Sequence, residues 1–100
     1  MEDNLQSLEG DLFEVPIDGT LDLHIFDPRD LKVLLPEYFY ECQKRGIFEV
    51  RVIHGKGTGV LKKSVMSLLK RLDSVESYRS GGFGEGNWGA TMVILKDRFY

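Results

Sequence analysis

Between Ile53 and Gly59 the chain passes from a strand pattern to a helix pattern, and no other stretch limits its fold as strongly. Before the junction, Phe48-Glu49-Val50-Arg51-Val52-Ile53 is dominated by β-branched and aromatic residues, which predicts a strand. After it, Leu61, Val65, Leu68, Leu69 and Leu72 fall on one face of a helix spanning Val60 to Leu72. The junction itself, His54-Gly55-Lys56-Gly57-Thr58-Gly59, sets three glycines between His, Lys and Thr. Alternate glycines let the backbone turn tightly and let its N–H groups approach a ligand with no Cβ in the way. A helix starting there adds unpaired N–H groups and the positive end of its dipole. Lys56 adds a full charge, and His54 a group that can donate, accept or carry a proton near neutral pH. Gly55, Lys56, Gly57, Thr58 and Gly59 therefore read as a phosphate-binding strand-to-helix turn. A plain βα connection with a solvated lysine accounts for the same residues. The Walker spacing of four residues before Gly-Lys-Ser/Thr is absent, which argues against a nucleotide kinase.

One hundred residues suffice for one domain with a modest core and are too few for two. No apolar run approaches the roughly 20 residues of a membrane span. Met1-Glu2-Asp3-Asn4 has neither the basic start nor the apolar stretch of a signal peptide, so a cytoplasmic location is expected. Cys42 is the single cysteine, which excludes an internal disulfide and a thiolate-rich metal site; it lies on the apolar side of a predicted helix and reads as a buried, inert thiol. The net charge of −3 hides an asymmetry: residues 1–27 hold eight acids and no Lys or Arg, whereas residues 28–100 hold thirteen bases and eight acids. A mildly basic body thus carries an acidic leader, and a phosphate-backbone partner is compatible with that body although no strongly basic stripe is visible.

Residues 1–19 lack sustained periodicity and read as a partly ordered leader, with Leu5, Leu8, Leu12 and Phe13 able to form one amphipathic turn. Thr20 to Ile25 alternates as a strand, placing Asp22 and His24 on one side and Leu21, Leu23 and Ile25 on the other. Asp27-Pro28-Arg29-Asp30 is a helix start, followed by Leu31, Leu34, Leu35, Tyr38, Phe39 and Cys42 on one face and by Gly46 as the stop. Pro36 inside that helix predicts a kink or break near residues 33 to 36. The strand at 48–53 and the helix at 59–72 come next. Val75 to Arg79 alternates as a half-exposed strand, residues 80–89 hold five glycines in a flexible connection, and Ala90 to Leu95 is the last strand. The order β-α-β-α-β-β, with right-handed crossovers, predicts a two-layer α/β sandwich. Its four-stranded mixed sheet has strands one and two parallel, both helices on one face and the last strand antiparallel to its partner. Nothing in the chain demands a dimer.

In such a sheet the ligand crevice lies beyond the carboxyl ends of the parallel strands. His24 and His54, the only histidines, close those two strands. Two histidines beside an anion site suit cleavage of a phosphodiester, one removing a proton from the attacking hydroxyl or water and the other protonating the leaving oxygen. Lys56 and the backbone amides would stabilise the charge that builds on the phosphate. Asp22 is placed to orient His24 or, with it, to hold a divalent ion such as Mg2+ or Mn2+; no other cofactor is indicated. Trp88 suits stacking on a base or capping of the sheet, and Lys62, Lys63, Lys70 and Arg71 suit a phosphate track or an ordinary solvated helix face.

Leu21-Asp22-Leu23-His24 before a helix, then His54-Gly55-Lys56-Gly57-Thr58-Gly59, then Gly89-Ala90-Thr91-Met92-Val93 resemble, in order and spacing, the Smr (small MutS-related) domain. The resemblance covers residues 17–96, with the domain itself taken as 20–100, and looks like a free-standing bacterial Smr protein. It implies a fold like the C-terminal domain of translation initiation factor three, binding of DNA or RNA and, in several members, nicking or endonuclease activity. The family's Leu-Asp-Leu-His motif carries over to Asp22 and His24, and its His-Gly-x-Gly motif to His54, Gly55, Lys56 and Gly57. Where the family usually has Gly after the first His, this chain has Ile25. Two alternatives to a nuclease stand beside it: a non-catalytic module that recognises a nucleic-acid structure or a ribosome-associated partner, and a protein-interaction domain.

Overall fold

In the computed structural model the described residues are 16–82, 84 and 89–97. The leader up to residue 15, Trp88, most of the glycine-rich connection and the last three residues lie outside them.

β1 is short, Thr20–Asp22, because the Asp22 carboxylate accepts the His24 backbone N–H and turns the chain into a 3-10 turn, Leu23–Ile25. The strand expected over residues 20 to 25 therefore ends at its midpoint, and Ile25, expected on the buried side, is exposed. A second 3-10 turn, Pro28–Asp30, is capped by Asp27, whose Oδ1 accepts the Arg29 N–H, and it runs straight into α1, Leu31–Lys44. α1 buries Leu31, Leu34, Leu35, Tyr38, Phe39 and Cys42, the 3.6-residue face legible in the sequence. Of the kink or break expected near residues 33 to 36, the break is not there: the helix continues through Pro36. The carbonyl that proline leaves without a partner is that of Lys32, an exposed residue where water can serve it.

β2 spans Glu49–Ile53, α2 Val60–Leu69, β3 Val75–Ser80 and β4 Ala90–Leu95. The sheet order is β1-β2-β4-β3, with β1 parallel to β2, and β4 antiparallel to both of its neighbours. The result is a mixed α/β fold of four strands and two helices. In register, Val50 stands beside Val93 and Val52 beside Thr91, so the inward residues of the two central strands form one surface. With Leu21 and Leu95 they meet Leu34, Leu35, Tyr38 and Phe39 of α1 and Val65 and Leu69 of α2 in a single core. Each fully buried Leu or Phe there contributes about 2 kcal/mol of transfer free energy.

Two polar contacts fix α1 against the strand ends. The Tyr38 hydroxyl accepts the Gly19 N–H and donates to the Thr20 carbonyl, holding the entry to β1, and burial pushes its pKa up to about 12. Gln43 Nε2 donates to the Lys96 carbonyl at 2.8 Å, holding the exit of β4. Cys42 is buried as expected, and burial pushes its thiol up to about 11, which keeps it protonated and unreactive at neutral pH. Among the described residues no helix is long and apolar enough to cross a membrane.

Candidate nucleic-acid site

Asp22 Oδ1 accepts twice: from the His24 backbone N–H at 2.9 Å and from the His24 ring Nδ1 at 2.7 Å. One oxygen thus shapes the turn and orients the ring. Because a carboxylate only accepts, Nδ1 carries a proton, and in the neutral ring Nε2 is the acceptor. Both side chains are about half exposed, 59% and 48%. His24 Nε2 lies directly over the Cα of Gly55, where a Cβ would come within 2.7 Å of it. Gly55 also has φ +82°, a left-handed conformation that favours glycine whatever the ring does.

His54 occupies a different environment. It is 4% exposed, and both ring nitrogens are committed: Nδ1 donates to the Gly55 carbonyl at 3.0 Å and Nε2 accepts from the Thr91 hydroxyl at 2.9 Å. The backbone N–H groups of His54 and Gly55 both donate to the Gly89 carbonyl, each at 2.9 Å. Gly89 packs against the turn, and a Cβ there would meet the Gly55 Cα at 3.6 Å, an ordinary contact. The structure therefore brings both histidines to Gly55, one open above it and one sealed behind it. It does not present two free imidazoles to one cleft.

Beyond Gly55 the turn opens outward. Gly59 has φ +88° and serves as the N-cap of α2, its carbonyl accepting the Lys63 N–H at 3.0 Å. The Thr58 hydroxyl lies 3.4 Å from the Val60 N–H, a long contact. Among the described residues, none of the amides of Lys56, Gly57, Thr58 and Gly59 donates to a protein acceptor. They line a concave surface of about 300 Å³ that extends from Gly55 to Lys62 and Ser64 and is bounded by Pro28. Lys56 is exposed at its edge, and Lys62 Nζ reaches the Ser80 hydroxyl at 3.3 Å, tying α2 to the end of β3. Lys63, Lys70 and Arg71 are exposed along α2 and the turn after it. Trp88 falls outside the described residues.

Asp22 and His24 bring only two donors to a metal ion, and among the described residues no three His, Cys, Asp or Glu side chains gather to hold one. Gly89 and Thr91 are the site residues to which sequence reasoning gave no role. The available signal was a glycine immediately before a strand, which often marks a close backbone approach.

Residues 21–96 match the family model described as the Smr domain. Over 80 residues the chain is 42% identical to a protein named Endonuclease MutS2 from Clostridium tetani and 40% identical to one of the same name from Clostridium beijerinckii. These matches cover 80% of this chain and 10% of each relative, so the chain spans about a tenth of the length of the curated relatives it matches. The crystal structure of the Smr domain of Thermus thermophilus MutS2 superposes with a TM-score of 0.72 at 30% identity, over 79% of this chain and 99% of that one. YdaL, a stand-alone small MutS-related protein from Escherichia coli, shares the fold at the same TM-score of 0.72 and 23% identity, over 81% of this chain and 66% of its own. With the family match running from β1 through the glycine turn to the end of β4, this chain belongs to the Smr domain family.

Proposed function

We infer that this Smr domain binds DNA or RNA by its phosphate backbone and cuts it, acting as a cytoplasmic monomer. In this reading the turn from Gly55 to Gly59 and the Lys56 ammonium hold one phosphodiester. His24 Nε2 takes the proton from the attacking hydroxyl, whether of water or of a ribose 2′-OH. The new phosphorus–oxygen bond forms, the bond to the leaving oxygen breaks, and that oxygen takes a proton from solvent. Asp22 keeps the ring in the tautomer with Nε2 free and stabilises the imidazolium that results. Lys56 and the open amides of the turn stabilise the charge on the phosphoryl oxygens.

The observation that carries this reading is the position of His24: Nδ1 lies on a carboxylate at 2.7 Å while Nε2 stands over the one glycine that opens the phosphate turn. The MutS2 relatives, whose name includes endonuclease activity, support it as kin. His54 was a candidate for the second proton transfer; in this reading, with both ring nitrogens engaged, it positions the turn instead. That commitment also favours a second reading, a module that binds without cutting, since only one imidazole is free to move a proton.

A cleavage assay separates the two. Purified protein is incubated with supercoiled DNA and with a structured RNA, each with Mg2+, Mn2+ or EDTA, beside His24→Ala. Cuts by the native protein that fall by roughly 100-fold or more in the variant support the nuclease and show whether an ion takes part. Binding without cuts in any arm selects the module.

A further inference from the structure

α1 and α2 do not close against each other at their outer edge. Between them lies a groove of about 600 Å³, lined by Leu31 and Leu68, by Ser64 and Ser67, and by the cationic residues Arg29, Lys32, Lys63 and Arg71. No carboxylate is among the residues that line it. The groove is continuous with the concave surface of the glycine turn, since Pro28 and Ser64 line both. A further depression of about 490 Å³, joining Gly59, Lys62, Lys63 and Ser67, bridges the same two regions.

The charge pattern is local. From residue 50 to residue 72 the chain has Arg51, Lys56, Lys62, Lys63, Lys70 and Arg71 and no acid, within a protein whose net charge is −3. Arg29, which also lines the groove, lies on Asp27, and away from the groove Lys44 and Arg45 lie on Glu41. Among the described residues Lys32, Lys63 and Arg71 have no carboxylate within ion-pair distance. Three unpaired cations around a hydroxyl-lined groove, beginning where the phosphate turn ends, complement a polyanion passing through the turn.

We propose that the groove between α1 and α2 receives the sugar-phosphate backbone next to the phosphate held by the turn, with Lys32, Lys63 and Arg71 as backbone-positioning residues. The proposal rests on the nucleic-acid reading of the turn and adds direction to it: the strand leaves the turn across α2 toward the start of α1. Positioning of this kind carries no base readout, so the groove contributes affinity, register and salt dependence but no sequence preference.

The test is fluorescence anisotropy on the full chain with a labelled DNA duplex and a labelled RNA hairpin, across a salt series. Four proteins are compared: native, the groove triple Lys32→Ala/Lys63→Ala/Arg71→Ala, a charge-matched triple Lys44→Ala/Arg45→Ala/Lys96→Ala, and the turn variant Lys56→Ala. Each phosphate neutralised contributes about 0.9 to the slope of log affinity against log salt on a duplex and about 0.7 on a single strand. The groove triple should therefore flatten the slope by roughly 2 to 3 and weaken binding at least about 10-fold near 100 mM salt. The charge-matched triple should stay within about twofold of native, and the arm with the larger loss identifies DNA or RNA as the source of the backbone. An equal loss in both triples would reduce the effect to net charge and overturn the proposal. Native affinity and slope in the groove triple would also overturn it, leaving the groove to another occupant, with the acid-rich residues 1–15 of this chain as the first to examine. If Lys56→Ala still weakens binding in that case, the reading of the turn survives; if Lys56→Ala is silent as well, both fail.

Discussion

His24 and His54 approach the same glycine from opposite sides, and the protein treats them in opposite ways. His24 stands just past a three-residue edge strand, half exposed, its ring on a carboxylate two positions earlier. His54 ends a central strand, sealed from solvent, with a hydroxyl donated from β4 on one nitrogen and its neighbour's carbonyl on the other. The difference arises from position in the sheet. An edge strand leaves its last residues open to substrate, whereas a strand flanked on both sides encloses the residue at its end. In the proposed reading, chemistry belongs to the open ring and shape to the closed one.

The substitution with the largest expected effect strikes the point where the two meet. Gly55→Ala places a methyl 2.7 Å from His24 Nε2 at a residue with φ +82°. The ring is the mobile end of an exposed side chain and can swing aside, so the stability cost is that of the backbone conformation, about 1–2 kcal/mol, while cleavage should fall by roughly 1,000-fold. Single-turnover cleavage and urea unfolding of the same preparation check both halves. His24→Ala should reduce cleavage by about 100- to 10,000-fold with no change in the urea midpoint. His54→Ala should instead lower unfolding stability by about 2–4 kcal/mol, because it empties a buried site and strands the Thr91 hydroxyl. Thr91→Val sharpens the contrast: it removes the donor to His54 Nε2 and should cost about 1–3 kcal/mol in the same unfolding experiment.

The smallest effect concerns the entry to α1. A hydrogen bond from the Arg29 guanidinium holds Asp27 at about 2, below the ordinary 3.8. A carboxyl lowered in the folded state stabilises the fold above its unfolded pKa and loses that contribution as pH falls through the folded value. The difference in urea midpoint between native protein and Asp27→Asn should therefore be present at about pH 5 and fade between about pH 4 and pH 2. Both side chains are solvent-exposed, so the difference should be small.

The strand, glycine turn and helix between Glu49 and Leu69 were legible because their periodicities are local and glycine has few structural uses. α1 was legible for the same reason, and Pro36 does not break it: a proline is tolerated within a helix when the carbonyl it orphans faces water. The end of β1 was not legible, since alternation over Thr20 to Ile25 is also satisfied by a strand that stops at Asp22, and the winner is a side-chain-to-backbone hydrogen bond that no periodicity encodes. The insertion of β4 between β2 and β3 is likewise a matter of pairing between distant segments. At the site, the association of Asp22 with His24 was implicit in their spacing. The sealing of His54 was not, because its partner Thr91 is 37 residues away.

The most direct test of this division is to measure cleavage rate and urea midpoint side by side for His24→Ala and His54→Ala. The account predicts that His24→Ala loses cleavage by at least about 100-fold at native stability, whereas His54→Ala loses stability. A His24→Ala protein that cuts DNA or RNA at the native rate would contradict it, and the proton transfer would have to be sought elsewhere in the molecule.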